Sequence, residues 1–332
     1  MARKTLTISA LLGATAFVLA GCASTPSSDV SDAADGDAVQ VVASTSVYGD
    51  IVSAIAGDAV EVTSIVTSSS QDPHSYEASA SDQLTISRAD LIVENGGGYD
   101  SFIDSLIEAS GSEAHVITAA EYSHDWPENE GHDQADEDAD ATAEADHDHD
   151  HGGHDHVEGF NEHVWYDPHT IEHVAEAIAE ELTELVPDEA ATFESGLTAF
   201  VDGVADLESS LSDVAAAHEG EKIFVTEPVP LYLTAAAGLA NVTPEAFSEA
   251  VEEGQDVPPA TLLEATTLLA GGGVRVLIAN SQTGGAETTQ VIQAAEADGI
   301  PVIEFSEILP EGETYLTWMA QNIQTLEGAL AG

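Results

Sequence analysis

Two stretches of the chain alternate short apolar runs, rich in β-branched residues, with segments of helical spacing. In the first stretch the strand-like runs are 39–43, 60–66, 89–93 and 115–118, and the helical segments are 47–56, 80–88 and 99–109. In the second stretch the strand-like runs are 222–225, 274–279 and 302–305, and the helical segments are 231–239, 259–269, 287–297 and 315–330. Strands that alternate with helices predict parallel sheets covered by helices. We therefore expect two α/β lobes.

A regular apolar stripe lies between these two stretches. Its members follow one another in steps of four and three residues: Phe193, Leu197, Phe200, Val204, Leu207, Leu211 and Val214. This spacing predicts one long helix over 188–218 with a narrow apolar face. A homomeric coiled coil is the alternative, but Gly196, Gly203 and several acids would weaken an isolated zipper. We expect two Rossmann-like lobes, 39–187 and 219–332, joined by a long rigid helix, with a ligand cleft at the carboxyl ends of the strands.

The first 22 residues have the pattern of a secretory signal. Arg3 and Lys4 precede an apolar run that is too short to span a membrane comfortably, and small residues follow it. The segment Leu19-Ala20-Gly21-Cys22 resembles a bacterial lipobox, in which the cysteine is lipidated. We predict a signal peptide at 1–22, a lipid anchor on Cys22, a flexible tether at 23–38 and an extracytoplasmic, membrane-anchored protein. A plain secreted protein with a chance cysteine is the alternative.

A low-complexity insertion interrupts the first lobe at 123–160. Between residues 124 and 158 it contains 14 acids and 7 histidines, and apolar residues are scarce. Its densest part alternates His with Asp, and we predict that it binds zinc weakly through His147, His149, His151, His154 and His156. The alternative is a loop that only contributes solubility.

The overall charge is strongly negative and excludes several classes of partner. The chain has 62 Asp and Glu against 5 Lys and Arg, a net charge of −57. A protein that binds nucleic acid by neutralising phosphates needs a basic surface, which this chain lacks. Docking on anionic lipid is disfavoured for the same reason. The acids far outnumber what one bound cation needs, so we also hypothesise adaptation to a salty solvent.

Four residues at predicted strand ends could bind a metal ion. His74 follows the run 60–66, His163 lies in a run predicted as a strand at the end of the insertion, Glu227 follows 222–225, and Glu307 follows 302–305. Two imidazoles and two carboxylates suit Zn²⁺ or Mn²⁺ better than Cu(I). His169 and His173 have the i, i+4 spacing that can hold zinc, but we expect them to be residues of a helix surface.

The motifs around these residues resemble those of a known family. They are Asp-Pro-His-Ser-Tyr-Glu at 72–77, His-Val-Trp at 163–165 followed by Asp-Pro, and Thr-Glu-Pro at 226–228. Together with the lipobox, they make the chain similar to substrate-binding lipoproteins of metal ABC transporters, the cluster A-I zinc/manganese family, over about residues 39–330. The resemblance implies a monomer that binds one ion between two lobes and delivers it to an ABC permease.

The resemblance also implies the ligands. His74 and His163 match the first two ligands, and Glu307 matches the fourth. Glu227 matches the third ligand, which is His in many zinc-binding members and Glu in many manganese-binding members. The loop from Asn280 to Gln282 is the alternative source of the fourth ligand. The His/Asp tract favours zinc, and manganese is the alternative cargo.

We expect no enzymatic activity. A secreted metal-dependent hydrolase is the rival class. A hydrolase would need an open coordination position on the metal, and four protein ligands would leave none in a tetrahedral site. A surface adhesin-type lipoprotein is a third possibility, and no motif in the sequence supports it independently.

Overall fold

The computed structural model describes residues 38–127, 129, 157 and 159–332. The predicted signal peptide, most of the tether, Cys22 and the five insertion histidines lie outside this part of the chain. The first lobe comprises β1 (Gln40–Thr45), α1 (Ser46–Ala56), β2 (Glu61–Val66), α2 (Ala80–Ile86), β3 (Leu91–Glu94), α3 (Phe102–Ser110), β4 (His115–Thr118) and α4 (Pro168–Leu185). Its four strands are parallel, in the order β2-β1-β3-β4.

The second lobe repeats this plan. It comprises β5 (Lys222–Val225), α6 (Leu231–Ala236), β6 (Ala240–Asn241), α7 (Glu245–Glu252), α8 (Pro259–Ala270), β7 (Val274–Asn280), α9 (Ala286–Ala297), β8 (Val302–Phe305) and α10 (Tyr315–Leu330). Its strands are also parallel, in the order β6-β5-β7-β8. The central strand β3 is buried along its whole length, which explains its apolar run from Leu91 to Val93. The expected fold class is confirmed.

The stripe between the lobes forms a long helix, α5 (Ala190–His218), which a 3-10 turn at Pro187–Glu189 precedes. Its two glycines are points of close helix contact. A Cβ atom on Gly196 would lie 2.2 Å from the carbonyl oxygen of Ile55 in α1, and one on Gly203 would lie 2.5 Å from Leu316 Cδ1 in α10. The glycines therefore allow α5 to pack closely against a helix of each lobe, instead of weakening a coiled coil.

One predicted strand is absent. The run at His163 forms a single 3-10 turn, Val164–Tyr166, because Asp167 caps the next helix and Pro168 begins it. The aromatic residues of this turn bind the second lobe: Tyr166 Oη donates to the carbonyl oxygen of Ser306 at 2.7 Å, and Tyr315 Oη donates to that of Trp165 at 2.9 Å. Burial of these side chains, and not a strand ladder, holds the segment in place.

Two short elements, β6 and α7, were not predicted. Strand β6 has two residues, and α7 lies in an acidic stretch whose apolar spacing is brief. The division of the chain into a signal, a tether, two lobes and a separate linking helix remains a prediction. Within the described residues, no helix is long and apolar enough to cross a membrane.

Candidate metal-binding site

The loop after β2 holds His74 at the cleft between the lobes. His74 lies in a 3-10 turn, Pro73–Ser75, and Asp72 caps this turn by accepting from the backbone N–H of His74 at 3.0 Å and from Ser75 Oγ at 2.7 Å. The imidazole is 16% exposed, so solvent still reaches it. The Asp-Pro-His-Ser sequence therefore fixes the backbone that presents this side chain.

His163 directly precedes the 3-10 turn Val164–Tyr166, and its ring lies 5.8 Å from that of His74, centroid to centroid. Its side chain is 1% exposed, and its Nδ1 lies 2.8 Å from Asn161 Oδ1. When Nδ1 of a neutral imidazole donates to a carbonyl oxygen, Nε2 carries the lone pair that a metal ion requires. The ring also packs edge-on against Trp165 and Tyr99, at centroid distances of 5.1 and 5.8 Å. These contacts restrict the orientation of the imidazole.

The second lobe supplies two carboxylates that share one donor. The amide of Asn280, at the end of β7, donates to Glu307 Oε1 at 2.6 Å and to Glu227 Oε2 at 3.0 Å. Thr283 Oγ1 donates a further, short hydrogen bond to Glu227. Both carboxylates are buried, with relative exposures of 3% for Glu227 and 2% for Glu307.

The loop considered as an alternative ligand source has its amide oxygens engaged. Asn280 Oδ1 accepts from the backbone N–H of Gln282 at 3.0 Å, and Gln282 Oε1 accepts from the N–H groups of Glu307 and Ile308 at 2.7 and 2.8 Å. These bonds fold the two loops against each other. Asn280 and Gln282 thus position Glu307.

Three of the four predicted residues form one cluster. Ligand-competent atoms of His74, His163 and Glu307 all lie within 4.8 Å of one another, and His74 Nε2 is 3.8 Å from Glu307 Oε2. In a tetrahedral zinc site with bonds near 2.1 Å, ligand atoms are roughly 3.4 Å apart. Glu227 is not in this trio, but Asn280 links its carboxylate to that of Glu307.

The charge balance of the site favours a bound cation. Burial, together with the negative charges of Glu227 and Asp72, raises the pKa of Glu307 to about 8, against the lowering effect of the hydrogen bond from Asn280. Burial likewise raises the pKa of Glu227, which the hydrogen bonds from Thr283 and Asn280 lower in part. Because both carboxylates are buried, they are costly to ionise in the absence of a cation.

Two further acids adjoin the site and were not predicted. Glu162 Oε1 lies 3.8 Å from His74 Nδ1, and Glu252 Oε1 lies 3.8 Å from His163 Nδ1. Burial raises the pKa of Glu252 to about 9, with further contributions from Glu162, Glu227 and Glu307. Glu162 could have been noticed as the neighbour of His163. Glu252 lies on the unpredicted helix α7, and no sequence pattern indicated that it would reach the site.

An open, acidic cavity gives solvent access to the site. It has a volume of about 880 Å³, and its lining includes Asp72, His74, Glu252, Asp256 and Glu287. A cleft lined by one sign of charge concentrates ions of the opposite sign. This arrangement would attract cations toward His74.

Sequence comparison identifies relatives over most of the folded chain. Residues 41–329 match the family model described as ZnuA, zinc-uptake complex component A periplasmic. The manganese-binding lipoprotein MntA of Halalkalibacterium halodurans is 26% identical over 229 residues, which cover 68% of this chain and 66% of that protein. The manganese ABC transporter substrate-binding lipoprotein ScaA of Streptococcus gordonii is 30% identical over 234 residues, which cover 67% and 66%. The matches thus span about two thirds of these relatives.

The fold also has solved counterparts. The periplasmic zinc-binding protein TroA from Treponema pallidum superimposes with a TM-score of 0.67 at 19% identity, covering 88% of this chain and 99% of that one. Such low identity supports the shared architecture alone. The family match over residues 41–329 confirms the resemblance in the sequence motifs, and the chain belongs to the ZnuA family, zinc-uptake complex component A periplasmic.

Proposed function

We propose that the protein captures a divalent transition-metal ion in its interlobe cleft and delivers it to an ABC permease. His74, His163, Glu227 and Glu307 are the proposed ligands. The observation that carries the proposal is the convergence of His74, His163 and Glu307, from two lobes, within 4.8 Å. Family membership and the names of MntA and ScaA support the same function.

Ion capture requires no chemical reaction. It requires ligands that are already oriented for binding and a negative charge that the cation can neutralise. Asn161 orients His163, Asp72 fixes the turn of His74, and Asn280 holds the two carboxylates. Such outer contacts strengthen metal sites because less freedom is lost on binding. The ion would also compensate the buried carboxylates, so binding should displace protons from them.

We propose zinc as the preferred cargo and manganese as the alternative. Two imidazoles suit zinc, and the His/Asp tract outside the described residues would enrich imidazole-seeking ions near the cleft. Two carboxylates, and the names of MntA and ScaA, favour manganese. Zinc is named for TroA, which shares the fold.

The cellular setting follows from the N-terminal motif and the relatives. We propose that Cys22 carries a lipid anchor, that the signal peptide directs export, and that the monomer works at the outer face of the membrane beside its permease. The names of MntA and ScaA, both lipoproteins, support this setting. With four protein ligands on a tetrahedral ion, the site offers no open position for hydrolysis, so we propose a binding protein and no enzyme.

Metal analysis and competition titrations test the proposal. Purified wild type should contain or bind one tightly held ion, and zinc should displace manganese. His74→Ala and Glu227→Ala should each lose at least tenfold in zinc affinity. His115→Ala is the matched control, because His115 is an exposed imidazole paired with Glu181 at 2.7 Å and lies outside the cleft. If both site variants keep the wild-type affinity, the proposed site is wrong.

A further inference from the structure

A second group of metal-competent side chains lies on the outer surface, where α4 meets α5. Ligand-competent atoms of His169 and Glu172 in α4 and of Glu208 in α5 lie within 4.8 Å of one another. His169 Nδ1 is 4.0 Å from Glu208 Oε1. Glu208 is 39 residues further along the chain than His169, so sequence spacing gave no sign that it faces this pair.

His173 extends this group along the same face of α4. Its ring lies 4.8 Å from that of His169, centroid to centroid, as expected for residues at i, i+4 on a helix. His173 Nδ1 lies 3.2 Å from Glu176 Oε2. A carboxylate that accepts from Nδ1 leaves Nε2 as the lone-pair nitrogen, which is the usual arrangement around metal-binding histidines.

The backbone beneath the group is held firmly. Helix α4 packs against α5, and Ile171 and Val174 in α4 and Val204 and Leu207 in α5 are all buried in the same hydrophobic core. The side chains above it are exposed, with relative exposures of 60% for His169 and 43% for Glu208. They can therefore rotate toward a common ion while their Cα atoms stay in place.

The charges of the group are also unbalanced. Glu172, Glu176 and Glu208 surround two imidazoles, and neither α4 nor α5 contains a lysine or arginine. Like charges that close together repel one another, and a divalent cation would relieve the repulsion.

We propose that His169, Glu172, His173 and Glu208 form a second, surface site for a divalent transition-metal ion, which clips the first turn of α4 to α5. Imidazole nitrogens combined with carboxylate oxygens select zinc-like ions over Ca²⁺ or Mg²⁺, which prefer oxygen ligands alone. The ion here is structural. It joins a helix of the first lobe to the helix that links the lobes, and it is separate from the ion in the cleft.

Calorimetric titration of the full chain with zinc chloride tests this proposal. The chain is first loaded with one equivalent of zinc, and the insertion histidines are replaced by Asn to remove their signal: His147, His149, His151, His154 and His156. One further equivalent should then bind, more weakly than the first. It should disappear in His169→Ala, and Glu208→Gln, a nearly isosteric change, should weaken it at least tenfold.

The control and a second readout keep the test decisive. His115→Ala, which removes an equally exposed imidazole beside Glu181, should retain the further equivalent. Excess zinc should raise the melting temperature of the preloaded protein, and should raise it less in His169→Ala, because an ion that binds only the native state stabilises it. The His74→Ala variant should still bind the zinc equivalent assigned to the surface site. Loss of zinc binding in the cleft can therefore be distinguished from loss of binding at the surface. Equal zinc stoichiometry with and without His169 would overturn the proposal.

Discussion

The amide of Asn280 is the contact through which the second lobe holds both of its carboxylates. Its nitrogen donates to Glu307 at 2.6 Å and to Glu227 at 3.0 Å, and the residue is only 7% exposed. Asn280→Ala removes both donors and leaves two buried carboxylates oriented only by their remaining contacts. Loss of an outer contact of this kind typically lowers metal affinity ~10–100-fold, or about 1.4–2.8 kcal/mol.

The pH dependence of this loss gives the prediction its specificity. Asn280 lowers the pKa of Glu307 and of Glu227, so its removal should raise both pKa values. More protons must then be displaced when the ion binds, and the affinity deficit should be larger at pH 6.5 than at pH 9. Competition against a chelator of known affinity, repeated across this range, measures the deficit directly.

A matched control is available in α10. Asn322 is also 7% exposed, and its amide donates to Tyr166 Oη at 3.4 Å, whereas the amide of Asn280 donates to the two cleft carboxylates. Asn322→Ala should cost stability without a tenfold change in zinc affinity. The reasoning is refuted if Asn280→Ala binds zinc as tightly as wild type, or if both variants lose affinity equally.

The remaining predictions concern protons, packing and salt. Zinc binding at pH 7 should release protons, seen as a calorimetric enthalpy that varies with the buffer, because burial raises the pKa of Glu307 to about 8. An enthalpy independent of buffer would contradict this. In the apo protein, the pKa values of Glu307 and Glu252 are about 8 and 9 in the folded state, against an ordinary 4.5 in the unfolded chain. The folded state therefore binds more protons, and the free energy of unfolding should fall as pH rises from about 4.5 to 9. Gly196→Ala should destabilise by ~1–3 kcal/mol in denaturant unfolding because its Cβ would meet Ile55, whereas Gly328→Ala, in open space, should be neutral or stabilising. Added NaCl should raise the melting temperature, since the net charge is −57; an unchanged value would count against salt adaptation.

Periodic apolar patterns were sufficient to predict most of the fold. The strands His115–Thr118, Lys222–Val225 and Val302–Phe305 and the helix Tyr315–Leu330 have the predicted bounds, because each is a continuous pattern with a clear boundary. The run at His163 was wrongly predicted to be a strand. Its apolar and aromatic residues are buried by contacts with the other lobe, and such contacts produce no periodic pattern in the sequence. Short elements such as α7 give too few repeats to detect.

The same distinction applies to the site. His74 and His163 lie in local motifs in which neighbouring residues form the caps and turns, so the sequence was sufficient to predict both residues. Glu252 and Glu208 reach their positions through tertiary packing of α7 and α5. Asn280 was considered only as a ligand, and its role as a shared donor depends on distances that no spacing rule supplies.

The position of the bound ion tests the central claim most directly. A crystal of the zinc-loaded protein, measured at the zinc absorption edge, gives an anomalous peak for each ordered ion. We predict a peak in the cleft within about 2.0–2.2 Å of nitrogens of His74 and His163 and of carboxylate oxygens of Glu227 and Glu307. A fully occupied cleft ion bound instead by Glu162 and Glu252, or no peak in the cleft at all, would contradict the account.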